Sequence, residues 1–196
     1  MQRVQQPRII HTAQALVDEV FHVPALPELG GNVMARAAAQ YAGGAVTTLV
    51  AARRQGAQAV HAGSIGTGWR GDLVREALAD AGVVASAPTD ADADTGTCVV
   101  LVDNEAERTF ITTQGAERVI TAASLATAAP VPGDVVCVSG YTLLEPTRQP
   151  LLDFLAQSVK QEGPYSQLLK AELETIRHQA DHYLYHEHLE EVNEPL

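Results

Sequence analysis

Asp18 closes an apolar run, Ala15-Leu16-Val17-Asp18, that reads as the end of a β-strand. A carboxylate there can accept hydrogen bonds from ligand hydroxyls, or it can be a strand-end acid facing water. A glycine pair, Gly43-Gly44, stands ahead of a helix-favouring run that carries Thr47. Two glycines let a backbone approach a bound ring closely, or simply make the turn before a helix. The stretch from Gly66 to Gly71 could cradle an anion with its N–H groups, with a plain helix-entry turn as the alternative. Arg108 sits on a β-prone run, where it either reaches into a site from a flap or serves as an edge charge. His178, His182 and His186 recur at helical i, i+4 spacing on one face with Glu174 and Glu190. Such a face chelates zinc when a further ligand such as His188 completes it, and is otherwise a solvated, titrating surface. Asp90, Asp92 and Asp94 alternate as in a calcium loop, but Thr95 and Leu101 stand where that loop needs Gly and Glu. They read as a polar approach to the next strand. Cys98 and Cys137 lie far apart in apolar runs and read as core thiols. The single Trp, Trp69, reads as core or rim.

These groups need a scaffold, and the chain up to about residue 158 alternates short β-type runs with Ala-rich helical stretches, which predicts a layered α/β domain with a largely parallel sheet. Strands are expected at Arg8 to Thr12, Ala15 to Phe21, Ala59 to Ser64 and Val135 to Ser139, and helices at Val46 to Arg54 and Gly71 to Asp80. Cys98 to Asp103 and Arg108 to Thr113, joined by Asn104-Glu105-Ala106-Glu107, have the grammar of a hairpin. That hairpin should project from the layered body as a two-stranded flap.

Charge and composition divide the chain. Of 196 residues, 13 are Lys or Arg and 24 are Asp or Glu, a formal charge of −11 that disfavours nucleic acid and anionic membranes. Residues 160–196 hold both Lys, four of the seven His and three of the five Tyr, whereas the preceding part is rich in Ala, Gly, Val and Thr. Gln161-Glu162-Gly163-Pro164 interrupts the apolar pattern of Leu151, Leu152 and Leu155, so we divide the chain into a domain at 1–158, a linker or junction at 159–164 and a helical tail at 165–196. No apolar stretch reaches the roughly 20 residues of a bilayer span, and the N-terminus has no signal pattern, so a cytoplasmic protein is expected.

The order of these features resembles the PfkB, or ribokinase-like, family of carbohydrate kinases over roughly residues 8 to 158. Ala15-Leu16-Val17-Asp18 is similar to the family's first strand, whose acidic residue binds substrate hydroxyls. Pro24-Ala25-Leu26-Pro27 and Gly30-Gly31-Asn32-Val33 resemble its loop into the lid strand, and Gly43-Gly44-Ala45-Val46-Thr47 with Ala51-Ala52-Arg53-Arg54-Gln55-Gly56 resembles its first signature. Gly63-Ser64-Ile65-Gly66-Thr67-Gly68-Trp69-Arg70-Gly71-Asp72 and Ala81-Gly82-Val83 are similar to the next segment. Thr95-Gly96-Thr97, Glu107-Arg108-Thr109 and Gly115-Ala116-Glu117 are similar to the lid hairpin and its exit.

The resemblance implies an α/β fold, an incomplete ribokinase-like α/β/α sheet with a projecting β lid, followed by the helical tail. It implies substrate contacts at Asp18, Gly43, Gly44, Thr47 and Arg108, with Thr47 standing where the family has Asn. The family transfers a phosphoryl group from ATP, with Mg, to a hydroxyl of a sugar or nucleoside. Its Gly-Ala-Gly-Asp segment, which supplies the base and phosphate-binding N–H groups, has no counterpart in this sequence. No catalytic, nucleotide-binding or metal-binding residue is therefore assigned, no cofactor is expected on this chain, and turnover by it alone is not expected. Homodimerisation through lid strands is implied as well. The tail from Tyr165 to Pro195 is similar to the start of a methyltransferase regulatory domain, and its junction with a kinase half is expected to mark a rearranged or frame-altered gene. A non-catalytic binding or assembly module, using the lid and the acidic tail, is the alternative.

Overall fold

The computed structural model describes residues 7–159. Strand β1 (Arg8–His11) is followed by β2 (Ala15–His22), β3 (Ala37–Gly44), helix α1 (Ala45–Arg54), β4 (Gln58–His61), β5 (Ile65–Gly66) and α2 (Trp69–Asp80). Next come β6 (Val84–Ala85), β7 (Thr89–Asp90), β8 (Thr97–Val102), β9 (Arg108–Thr112), α3 (Ala122–Ala126), β10 (Val135–Cys137) and α4 (Arg148–Val159).

The body is a four-stranded sheet in the order β10-β1-β4-β6, parallel throughout. Successive side chains of a strand leave opposite faces, so each β1 residue must find its own layer. Ile10 and Val60 pack with Leu125 of α3 and with Leu151 and Phe154 of α4, while Ile9 and Ala59 pack with Leu49 of α1 and Leu78 of α2. A sheet covered on both faces needs strands with apolar residues in succession, which is why these runs are legible in the sequence. Strands β4 and β10 are shorter than expected and α1 and α2 slightly longer, but each element expected within the described residues is present.

The second four-stranded sheet, β3-β2-β8-β9, forms the lid. Strand β2 pairs antiparallel with β3 along its full length and parallel with β8, and β8 and β9 make the expected hairpin. The expectation of a two-stranded flap is corrected here: the hairpin is the outer half of a wider sheet. Ala37-Ala38-Ala39-Gln40-Tyr41-Ala42 has high helix propensity and little β propensity, and pairing with β2 overrides both. Helix α4 accommodates Pro150 because that residue lies in the first turn, where a missing N–H costs little. Among the described residues no helix is long and apolar enough to cross a membrane. The 160–164 stretch, the tail helix and the His178, His182 and His186 face lie outside the described residues.

Candidate functional site

Asp18 sits in the middle of β2, not at a strand end, because pairing continues on both sides as far as His22. Its cross-strand partners are Tyr41 on β3 and Cys98 on β8, and Cys98 in turn pairs with Thr112 of β9. Leu16 pairs with Gly43, so Gly43 is the diagonal neighbour of Asp18. A Cβ at Gly43 would overlap Asp18 Oδ2 and lie 2.6 Å from its Cγ, so the carboxylate occupies the space a side chain would fill. Gly44 has φ 60, and a Cβ there would overlap the Gln14 carbonyl oxygen, which accepts the Ala45 N–H at 2.9 Å. Only glycine lets β3 pass directly into α1 in this conformation.

Burial pushes the Asp18 carboxyl above the usual carboxylate range. Among the described residues no hydrogen-bond donor or cation meets its oxygens. The structure thus brings Asp18, Gly43 and Gly44 together and leaves Thr47 exposed in the first turn of α1. Arg108 is not part of this group. It pairs with Val102 at the far end of the lid, four residues along and two strands across from Asp18, roughly 13 Å and 10 Å by strand spacing.

The root of the lid is held by Glu117, which sequence reasoning treats only as part of the lid exit. Its buried carboxylate accepts the Gly96 N–H at 2.7 Å and the Gly115 N–H at 2.8 Å, tying the chain entering β8 to the chain leaving β9. Thr97 Oγ1 donates to Glu19 at 2.9 Å, and Arg70, stacked over the partly exposed Trp69 at 4.7 Å, lies 3.6 Å from Glu19. Of the two readings of Gly66 to Gly71, the structure favours the helix-entry turn over the anion cradle: Asp94 accepts the Gly71 N–H at 2.9 Å and the Arg70 N–H at 3.3 Å, so a carboxylate already caps α2. Among the described residues the α2 start is thus taken by Asp94 and the first α1 N–H by the Gln14 carbonyl. Among them no group of three or more His, Cys, Asp or Glu could hold a metal ion.

Below the lid, His11 and His61 are register partners at the ends of β1 and β4. His61 is fully buried with neither ring nitrogen hydrogen-bonded, and burial together with the neighbouring His11 lowers its pKa to about 3. Cys98 is buried as expected, but Cys137 is only half-buried, since β10 is the outer strand of its sheet.

The chain and its fold have counterparts in known proteins. The model of the pfkB family of carbohydrate kinases matches residues 14–195. The chain belongs to the pfkB family. The uncharacterized sugar kinase YegV of Escherichia coli (strain K12) is 31% identical over 144 residues, which is 73% of this chain and 44% of that protein. Among solved structures, adenosine kinase from Sinorhizobium meliloti has a TM-score of 0.65 at 16% identity, over 79% of this chain and 54% of that one. Fructokinase from Xylella fastidiosa, solved with bound ATP, has a TM-score of 0.61 at 22% identity, over 79% of this chain and 49% of that one. The pfkB chain described here therefore spans about half the length of the relatives it matches, and the fold is the ribokinase-like one. The family match runs through the stretch likened above to a methyltransferase regulatory domain, and that likeness finds no support.

Proposed function

We propose that residues 1–158 are the acceptor-binding and lid half of a carbohydrate kinase domain, and that Asp18 takes two hydroxyls of a sugar or nucleoside. The observation that carries this is the half-buried Asp18 carboxylate, which no donor of the described residues meets and which leans on the bare backbone of Gly43. An unsatisfied carboxylate on a rigid strand is poised for hydroxyl donors. Gly44 lets the ring approach, Thr47 supplies one hydroxyl at the helix start, and Arg108 reaches the ligand when the lid folds over it. In a complete family domain the acceptor receives the γ-phosphoryl group of ATP, with Mg. We place the base and the nucleotide site outside residues 1–158, and the protein in the cytoplasm.

Isothermal titration of the 196-residue chain with neutral sugars and nucleosides tests this. Saturable binding that Asp18→Asn weakens at least about tenfold, roughly 1.4 kcal/mol, is expected, with no ATP-dependent product. Absence of any binding sinks the acceptor site, and robust phosphorylation by the purified chain overturns the expected lack of turnover.

A second reading, an assembly module, draws on the lid's outer strand. Phe110 and Ile111 are 60% and 59% exposed on opposite faces of β9, the edge strand of the lid sheet, and that unpaired edge is suited to a second copy of the lid. Light scattering should then give a dimer that Ile111→Glu dissociates, and a monomer at all concentrations excludes it.

A further inference from the structure

Tyr41 stands directly opposite Asp18 in the β2–β3 ladder, so both side chains leave the same face of the lid. Directly opposed residues have Cβ atoms about 4.5–5.5 Å apart, which sets a phenol ring beside the free carboxylate. The ring is 57% exposed, so it contributes little to either core. Its neighbours on this face of β3 are small: Gly43 on one side, then Ala39 and Ala37 on the other. On β3 the phenol ring therefore stands between small side chains, beside the Asp18 carboxylate.

Charge narrows what that ring can be. On the same face the residues around Asp18 are Leu16, Val20, Cys98, Val100 and Thr112, none of them cationic. Arg108, the Arg of that face, lies at the far end of the sheet. A ligand carboxylate or phosphate held next to Asp18 would meet like charge, with no cation among these described neighbours to offset it. The C–H face of a neutral cyclic sugar meets no such penalty and is complementary to the electron-rich face of Tyr41.

We propose that Tyr41 is a substrate-contact residue that stacks on the C–H face of a ring-form sugar whose hydroxyls are held by Asp18, and that the site selects uncharged cyclic sugars over sugar acids and sugar phosphates. This rests on the acceptor role proposed above for Asp18.

The test is titration and ligand-observed NMR on the 196-residue chain with glucose, fructose and ribose, with gluconate, and with glucose 6-phosphate, using wild type, Tyr41→Phe, Tyr41→Ala and Asp18→Asn. The expected result is binding of at least one neutral sugar, with its C–H resonances shifted upfield by the ring current. Tyr41→Phe should stay within about twofold, and Tyr41→Ala should lose about tenfold or more together with the upfield shift. Gluconate and the phosphate should bind at least about tenfold more weakly than the neutral sugar. Because Tyr41 is exposed, its variants should melt with the wild type. If Asp18→Asn abolishes binding while Tyr41→Ala does not change it, the stacking role alone is overturned. Equal losses in Tyr41→Phe and Tyr41→Ala also overturn it, since the hydroxyl and not the ring face would then be the contact. Tighter binding of the acid or phosphate overturns the selectivity. A wild type that binds no neutral sugar overturns both this role and the one assigned to Asp18.

Discussion

The body sheet and the lid sheet have four strands each, yet they are held together by different forces. In the body, Ile10, Leu49, Leu125 and Leu151 are fully buried between sheet and helices, so side-chain packing carries the stability. In the lid, every residue of β9 is exposed and β3 is mostly alanine and glycine, so backbone ladders and a few side-chain anchors such as Glu117 carry it. The difference separates a body held by side-chain packing from a lid whose outer strands are held mainly by their backbone ladders.

The contrast breaks most sharply under core truncation. Phe154→Ala should lose about 3–5 kcal/mol in urea unfolding, whereas Ile111→Ala should change stability by less than about 0.5 kcal/mol. Equal costs would mean that the lid is packed as tightly as the body.

Acid probes the same divide from the buried histidines. The folded-state pKa of His61, about 3, lies below its ordinary value of 6.5, so the unfolded chain binds the proton first. Stability should be full above about pH 6.5 and fall as pH drops towards 3, by a few kcal/mol across that window. Circular dichroism melts from pH 7 to 4 should show this slope, and His61→Leu should flatten it.

Glu117→Ala should act on the lid. Losing an acceptor of two backbone N–H groups costs about 2 kcal/mol, and hydrogen exchange at β8 and β9 should speed up while β1 and β4 keep their protection. Uniform acceleration would show that the lid root also supports the body.

The smallest expected effect is at Asp18. Because its pKa is raised by burial, the charged form is disfavoured in the folded state, and stability should fall slightly as pH rises through the carboxyl range. Asp18→Asn should remove that fall and raise the melting temperature at pH 7 slightly, a gain in stability of less than about 1 kcal/mol since much of the carboxyl meets water. A stabilised variant that no longer binds sugar would mark the position as kept for function.

Much of the body was legible because its strands are apolar in succession and its helices Ala-rich, signals that survive without tertiary context. The lid was legible where apolar and β-branched residues carry it, in Ala15–His22, Thr97–Val102 and Arg108–Thr112. Strand β3 escaped because its alanines favour helix, and with it went the partnership of Asp18 and Tyr41, which exists only through cross-strand register. Asp18, Gly43 and Gly44 could be picked out by type and order, whereas the remoteness of Arg108 follows from pairing that no local pattern encodes. The capping of α2 by Asp94 was hidden for the same reason: the carboxylate lies far along the chain from the amides it closes.

The seamless passage from β3 into α1 at Gly44 has a mechanical meaning. With no slack at that seam, and with α1 anchored by Leu49, the flap cannot swing like a door on a hinge. Any bending is then that of a cantilever, clamped beside Asp18 and free near Arg108, with excursions that grow with distance from Asp18.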